Sequence, residues 1–212
     1  MVNKSSHLPE VVKENLTQFH RFLSLSYFIA QFLLSCLSDA LNLEGTARLE
    51  QRHRTGEPSN TTVGFLHYFK DSTNANAGIH KHTDIGSLTL LFTQQWGLQV
   101  LLPDSRSWAF VQPKPGHVVV NVGDLLRFIS GMRLKSCVHR VVPSIDDRRR
   151  DRYSIAYLLR PENAAKFEDN QGNRVTAEGW WKEKLAIFSQ GHEKQAVSSV
   201  LTGGMESAIS LE

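Results

Sequence analysis

The stretch His80–Phe92, "HKHTDIGSLTLLF", places ionisable side chains at every second position directly before an apolar run. This pattern predicts a strand, and alternate residues of a strand project to the same face. His82 and Asp84 would then lie side by side. Burying an imidazole and a carboxylate is costly unless a partner neutralises them, and a metal ion is the partner that this pair favours.

A third ligand is available in "SCVHRVV", where His139 interrupts an apolar run. The chain between Asp84 and His139 is long enough for four strands to wind round and return. Two histidines and one carboxylate on one side of a metal are typical of non-haem Fe(II) oxygenases. Some zinc hydrolases use the same three ligand types, so the ligands alone leave both classes open.

A second pair, Arg152 and Ser154 in "RYSIAYLL", again occupies alternate positions of a predicted strand. A guanidinium accepts a carboxylate through two parallel hydrogen bonds, and a nearby hydroxyl adds a third. A buried arginine needs an anionic partner. The pair therefore indicates either a carboxylate ligand or an arginine at the end of a basic surface turn.

The middle of the chain, Thr61–Pro161, consists of seven or eight short apolar segments separated by turn residues. Turn chemistry at Pro103–Ser107 predicts a hairpin. This spacing is typical of a β-sandwich or jelly roll that can hold a ligand. The fold class predicted is mainly β with flanking helices.

The flanks read as helical. Leu8–Leu43 predicts one long helix or two abutting ones, and its uncharged part, Phe22–Ser38, is expected to be a buried core helix rather than a membrane span. A further helix is expected around "TAEGWWKEKLAIF", with Thr176 as its N-cap. The final stretch, 198–212, is expected to be loosely packed.

Composition excludes several classes. The net charge of the 212 residues is +3, which is too small to indicate nucleic-acid binding, and the start lacks the pattern of a signal peptide. Two cysteines, Cys36 and Cys137, give no disulfide framework, so a reducing, cytoplasmic setting is expected. Neither a nucleic acid nor a membrane is expected as a partner.

Taken together, "HTD", "GLQVLL", "P.PG..VVNVGD", "LKS..HRVV" and "RYSIAYLLRP" resemble the core of the iron(II)/2-oxoglutarate-dependent dioxygenases, in the isopenicillin N synthase-like branch. The resemblance runs from about Phe65 to Pro161. It implies a double-stranded β-helix (jelly-roll) core packed on helices.

The resemblance also implies roles for six residues. The family's iron ligands correspond to His82, Asp84 and His139, its 2-oxoglutarate-binding pair to Arg152 and Ser154, and a tyrosine that touches the cosubstrate to Tyr68. The cofactors implied are Fe(II), 2-oxoglutarate and O2. The reaction implied is hydroxylation, desaturation or ring chemistry on a small organic molecule, in secondary metabolism.

Two positions depart from the family pattern, and two more lie close to the ligands in sequence. Phe69 stands where many relatives have proline, and Leu158 stands where some plant relatives carry an aromatic residue. His80 is expected to lie beside the iron ligands or at the pocket entrance, not among the ligands. Cys137 is expected to be a small apolar part of the pocket wall.

The sequence predicts three regions: an N-terminal helical segment (1–60) packed on the barrel, the catalytic core (61–161) and a C-terminal helical extension (162–212). Relatives usually carry a longer segment ahead of the first long helix. We therefore expect either an unusually short enzyme or a truncated, poorly coupled or non-catalytic fragment, and we expect self-association through exposed apolar surface. An iron oxidase that uses no 2-oxoglutarate remains an alternative. A zinc hydrolase is disfavoured because no general base is evident.

Overall fold

The computed structural model describes residues 8–69, 80–142 and 150–205. The chain divides into two compact units, Met1–Pro58 and Ser59–Glu212. The helices of the first unit are α1 (Glu10–Glu14) and α2 (Leu16–Ala40), followed by 3₁₀ turns at Gly45–Ala47 and Leu49–Arg52. Of the two arrangements expected for this region, two abutting helices are observed.

Helix α2 buries only one narrow stripe. Its buried residues recur at every fourth position and are Ser26, Ala30, Leu34 and Ser38. Phe28 and Phe32, by contrast, are 69% and 62% exposed. The prediction of a buried core helix is therefore wrong for most of α2, because its apolar residues surround the helix while one stripe alone packs. By length and composition this helix could also cross a membrane, and 22% of its most apolar stretch is buried.

The second unit contains the strands and the remaining helices. Their bounds are β1 (Thr62–Tyr68), β2 (Leu88–Phe92), β3 (Leu98–Leu101), β4 (Trp108–Phe110), β5 (Val119–Val122), α3 (Asp124–Ile129), β6 (His139–Val141), β7 (Arg152–Leu159), β8 (Lys166–Glu168), β9 (Arg174–Thr176), α4 (Ala177–Phe188) and α5 (His192–Val197). The predicted hairpin is confirmed by the antiparallel pairing of β3 with β4.

Among the described residues, the strands form a four-stranded sheet in the order β1-β7-β2-β5, a three-stranded sheet in the order β4-β3-β6 and the small hairpin β8-β9. All of the strand pairs are antiparallel. The predicted double-stranded β-helix is confirmed. Four strands, β2 to β5, separate Asp84 from His139, as the sequence required.

Two elements were not expected. The run "DLLRFI" forms α3; a segment of six residues is too short for its apolar spacing to distinguish a helix from a strand. The polar stretch after Pro161 contains the β8-β9 hairpin. Phe128 of α3 stacks on Phe167 of β8 and meets the edge of Trp180 of α4, so these elements share a core beside the barrel.

The C-terminal region is tied to the barrel. Thr176 caps α4 as predicted, since its hydroxyl accepts a hydrogen bond from the Gly179 backbone N–H. The expectation of loose packing after residue 197 is wrong for residues 198–205. Leu201 is fully buried, and its carbonyl accepts a 2.9 Å hydrogen bond from the Thr83 N–H. Residues 206–212 lie outside the described residues.

Candidate active site

His82 and His139 are joined through their backbones. They form an isolated antiparallel bridge in which each N–H donates to the other residue's carbonyl at 2.9 Å. The prediction that His82 and Asp84 lie on one regular strand is wrong, because β2 begins only at Leu88. The side chains nevertheless converge, since the bridge fixes the two histidines and the chain returns to the sheet after Asp84.

The two imidazoles present the same ring nitrogen to the centre of the site. His82 Nδ1 lies 2.6 Å from the His80 carbonyl, and His139 Nδ1 lies 3.0 Å from the Cys137 carbonyl. Each Nδ1–H can donate to that carbonyl, which leaves Nε2 with its lone pair free. Both Nε2 atoms lie 3.7 Å from Asp84 Oδ1, and the three ligand atoms lie within 4.8 Å of one another.

The other oxygen of Asp84 is held by the sheet. Oδ2 accepts hydrogen bonds from Thr89 Oγ1 at 2.6 Å and from Asn121 Nδ2 at 2.7 Å. Thr89 on β2 and Asn121 on β5 are direct partners in the antiparallel register. One oxygen is thereby anchored, and the other is directed at the two histidines.

The electrostatics of this cluster suit a cation. Burial alone would raise the pKa of Asp84, but the charges of His139 and His82, when these imidazoles are protonated, and the hydrogen bond from Asn121 hold that pKa well below its usual range. Burial lowers the pKa of His139, and the charge of His82 lowers it further. An ionised carboxylate beside a neutral imidazole is the state in which these side chains bind metals.

Arg152 lies in the same cavity and is 8% exposed. Its Nε donates to the Trp96 carbonyl at 3.0 Å and its Nη1 to Ser154 Oγ at 3.3 Å. Its Nη2 is buried and has no hydrogen-bond partner among the residues that the structure describes. The predicted sharing of one strand face by Arg152 and Ser154 is confirmed: both are buried, and Tyr153 between them is exposed.

Tyr68 faces Arg152 across the β1–β7 register, and the guanidinium carbon lies 5.1 Å from the centre of its ring. Its hydroxyl is buried beside the Arg152 guanidinium, and within the described part of the chain its O–H has no acceptor. Burial raises the pKa of Tyr68, so the phenol stays a neutral donor. The free Nη2 and the free hydroxyl are the donors that a carboxylate would satisfy.

Gly97 allows Arg152 to pack in this position. Its φ is +126°, and a Cβ at this residue would lie 2.9 Å from the Val142 carbonyl oxygen and 3.1 Å from Arg152 Nε. A larger residue would therefore displace either the backbone of Val142 or the guanidinium.

These groups line one cavity of about 470 Å³. Most of its wall is apolar, including Leu66, Leu91, Leu98, Val100 and Val119 from both sheets. Cys137 is part of the wall, as predicted, and its burial raises the pKa of the thiol. His80 lies beside the ligands, also as predicted, and contacts His82 through its backbone carbonyl.

Behind the ligands lies a buried ion pair that the sequence did not reveal. Lys184 on α4 and Asp124 at the start of α3 are both fully buried, and their Nζ and Oδ2 atoms are 2.5 Å apart. Lys184 Nζ also donates to Thr83 Oγ1 at 2.7 Å. The pair thus contacts the residue between His82 and Asp84. A lysine in a polar helix gives no sign of such burial, whereas Asn121 could have been noticed as a polar residue within "HVVVNV".

The sequence and fold were compared with known proteins. Residues 60–161 match the family model described as the 2OG-Fe(II) oxygenase superfamily. The chain is 55% identical over 205 residues to the 2-oxoglutarate-dependent dioxygenase iboH of Amanita muscaria. This match covers 95% of this chain and 100% of that protein. It is 45% identical over 199 residues to the 2-oxoglutarate-dependent dioxygenase FG08081 of Gibberella zeae, covering 93% of this chain but 60% of that protein.

Among solved structures, the chain is similar to full-length Neurospora crassa T7H in complex with alpha-KG. The TM-score is 0.68 at 26% identity, and the match covers 81% of this chain and 56% of that one. This chain therefore spans the full length of one relative but only about 60% of the other two.

Proposed function

The chain belongs to the 2OG-Fe(II) oxygenase superfamily, and from that premise we propose that it oxidises a small organic molecule in the cavity between its two sheets. Enzymes of this family use Fe(II), 2-oxoglutarate and O2. The bound iron and cosubstrate supply the oxidising chemistry, and the protein contributes binding, orientation and a dry cavity. Secondary metabolism remains our prediction for the setting of the reaction.

We assign the iron ligands to His82 Nε2, Asp84 Oδ1 and His139 Nε2. The observation that carries this assignment is that the two oxygens of Asp84 have different contacts. Oδ2 accepts two hydrogen bonds, whereas Oδ1 lies 3.7 Å from both Nε2 atoms. A carboxylate anchored in this way needs no rearrangement to bind a cation. The ligand set is that of non-haem Fe(II) oxygenases.

We assign the cosubstrate's distal carboxylate to Arg152, Ser154 and Tyr68. Arg152 donates from Nε to the Trp96 carbonyl, and its Nη2 has no hydrogen-bond partner in the part of the chain that the structure describes. Tyr68 adds a buried neutral donor. This arrangement favours an enzyme that uses 2-oxoglutarate over an iron oxidase that does not, since the buried Nη2 of Arg152 and the buried hydroxyl of Tyr68 would otherwise lack partners among the described residues.

The remaining residues would orient the substrate and exclude water. The apolar wall offers no hydrogen bonds, so a substrate would be held by contact area and by few polar groups. Precise placement matters, because a displacement of about 1 Å can cost about a hundredfold in rate.

The test of this proposal is an anaerobic Fe(II) titration in which calorimetry measures the affinity. It compares the wild-type protein with His82→Ala, Asp84→Ala and His139→Ala. Each change should weaken iron binding sharply, because only two ligands would remain. His117→Ala is the matched control, since His117 is exposed and outside the cavity. Wild-type binding in all three ligand variants would overturn the assignment. Release of succinate on exposure to O2 would separate 2-oxoglutarate use from the oxidase alternative.

The three-region organisation and self-association stay predictions. The exposed Phe28 and Phe32 on α2 support self-association, because large exposed apolar side chains favour contacts between copies. Size-exclusion chromatography at micromolar concentration would test it, and a monomer at every concentration would contradict it.

A further inference from the structure

A second buried arginine lines the same cavity. Arg160 follows β7 directly, and residues 152, 154, 156, 158 and 160 alternate along one face and all border the cavity. Arg160 is 9% exposed. The strand thus carries a guanidinium at each end of its cavity-facing row, one assigned to 2-oxoglutarate and one with no assigned role.

The hydrogen bonds of Arg160 leave part of its guanidinium unsatisfied. Nη1 donates to the Asn60 carbonyl, while Nε is buried without a hydrogen-bond partner in residues 8–69, 80–142 and 150–205. No carboxylate within these ranges forms an ion pair with it. A buried cation lacking both an ion pair and one hydrogen-bond partner is unfavourable unless a ligand supplies them.

Two internal explanations are insufficient. Asp84 is near enough for its charge to act on Arg160, but its Oδ2 is occupied by Thr89 and Asn121 and its Oδ1 faces the histidines. The guanidinium is also not needed to hold the segment of Asn60 and Thr61 against the end of β7. The backbone N–H of Arg160 already donates to Thr61 Oγ1, and that hydroxyl donates to the Arg160 carbonyl.

The net charge of the cavity with Fe(II) and 2-oxoglutarate bound also favours an anionic ligand. The positive charges are the two of Fe(II) and those of Arg152 and Arg160, and the negative charges are those of Asp84 and the two carboxylates of 2-oxoglutarate. This leaves an excess of one positive charge in an apolar cavity. One further anionic group would neutralise it, and a carboxylate matches the geometry of a guanidinium.

We propose that Arg160 binds an anionic group of the substrate, so that the substrate class is a small molecule with an apolar body and a carboxylate. This inference rests on the proposed function, because it takes Arg152 to be occupied by 2-oxoglutarate. The apolar wall contacts the body of the substrate, and Arg160 fixes its orientation from the end of β7 opposite Arg152.

The experiment compares carboxylates with their neutral amides. The probes are hexanoate with hexanamide and phenylacetate with phenylacetamide, titrated calorimetrically into the full chain loaded anaerobically with Fe(II) and saturating 2-oxoglutarate. Wild-type protein should prefer each carboxylate by about 30-fold or more, as expected for a buried charged pair. Arg160→Gln should abolish the preference and Arg160→Lys should keep part of it. Arg140→Gln, which alters a half-buried arginine outside the cavity, should retain it.

The affinity for 2-oxoglutarate, measured on each variant before the probes are added, separates the two proposals. It should be unchanged in Arg160→Gln. The inference is overturned if wild-type protein shows no carboxylate preference, if the preference survives Arg160→Gln, or if Arg160→Gln also loses 2-oxoglutarate. Retention of 2-oxoglutarate by Arg152→Ala would instead overturn the proposed cosubstrate site and, with it, the premise that leaves Arg160 to the substrate.

Discussion

Thr89 and Asn121 face each other across the antiparallel pair β2–β5, and both donate a hydrogen bond to the same oxygen of Asp84. The register of the sheet therefore determines which carboxylate oxygen faces the two histidines. Outer hydrogen bonds of this kind orient metal ligands and tune their affinity.

Removing either donor should weaken iron binding while leaving the three ligands in place. We expect Thr89→Val and Asn121→Leu each to lower Fe(II) affinity by about 10–100-fold, because Asp84 would lose part of its anchoring. Anaerobic metal titration measures the effect. Thr93→Val, which removes a hydroxyl bonded to the Gln95 carbonyl, is the matched control. Unchanged affinity in both test variants would show that the anchoring has no role in metal binding.

Arg152→Ala should cost about 2–5 kcal/mol of 2-oxoglutarate binding, because a buried carboxylate would lose its charged partner. Arg152→Lys should recover only part of that loss, since an ammonium does not reproduce two parallel N–H donors. Anaerobic calorimetry with 2-oxoglutarate is the measurement. Arg174→Ala, at an exposed position of β9, should bind like the wild type. Equal affinity of Arg152→Ala and wild type would contradict the assignment.

Gly97→Ala should disturb the same site indirectly. The φ of +126° makes any side chain costly by about 1–3 kcal/mol, and the new Cβ would press on Val142 and Arg152. We expect lower stability together with weaker 2-oxoglutarate binding. Gly116→Ala provides the comparison, since Gly116 also has a positive φ but nothing lies within 4 Å of its added Cβ. It should lose stability alone, and a similar loss of 2-oxoglutarate affinity in both variants would count against the packing argument.

Lys184→Met should destabilise the fold by about 3–5 kcal/mol, because it leaves the buried Asp124 carboxylate without its cation. The double variant Lys184→Met/Asp124→Asn should recover part of the loss. Urea unfolding measures both. Lys182→Met on the same helix removes an exposed ion pair with Glu178 and should change stability by less than about 1 kcal/mol. If the variants at 182 and 184 were equally stable, the buried pair would contribute nothing.

The six residues singled out from the sequence do line one cavity, although the reasoning that brought them together was partly wrong. His82 and Asp84 converge without belonging to a regular strand. The backbone bridge between His82 and His139 positions these side chains, where strand alternation was expected to do so. Arg152 and Ser154 do follow strand alternation. Local sequence patterns could predict these pairs because both residues of each pair lie within one short segment of the chain.

Contacts between distant segments could not be predicted in this way. The partner of Lys184 is 60 residues away in sequence, and no local pattern marks a lysine that will be fully buried. The burial of Leu201 depends on Thr83, which no periodicity connects to it. Helix α3 was not expected because its six residues are too few for their apolar spacing to distinguish a helix from a strand.

The hydrogen bond from the Thr83 amide to the Leu201 carbonyl joins the segment of the proposed iron ligands to the end of the described chain. Amide hydrogen exchange at Thr83 requires this hydrogen bond to break, so we expect Thr83 and the segment around Leu201 to exchange as one cooperative unit. A ligand that binds only the closed form lowers the population of the open one. Loading the iron site should therefore slow exchange in the C-terminal segment, far along the sequence from any atom that contacts the metal.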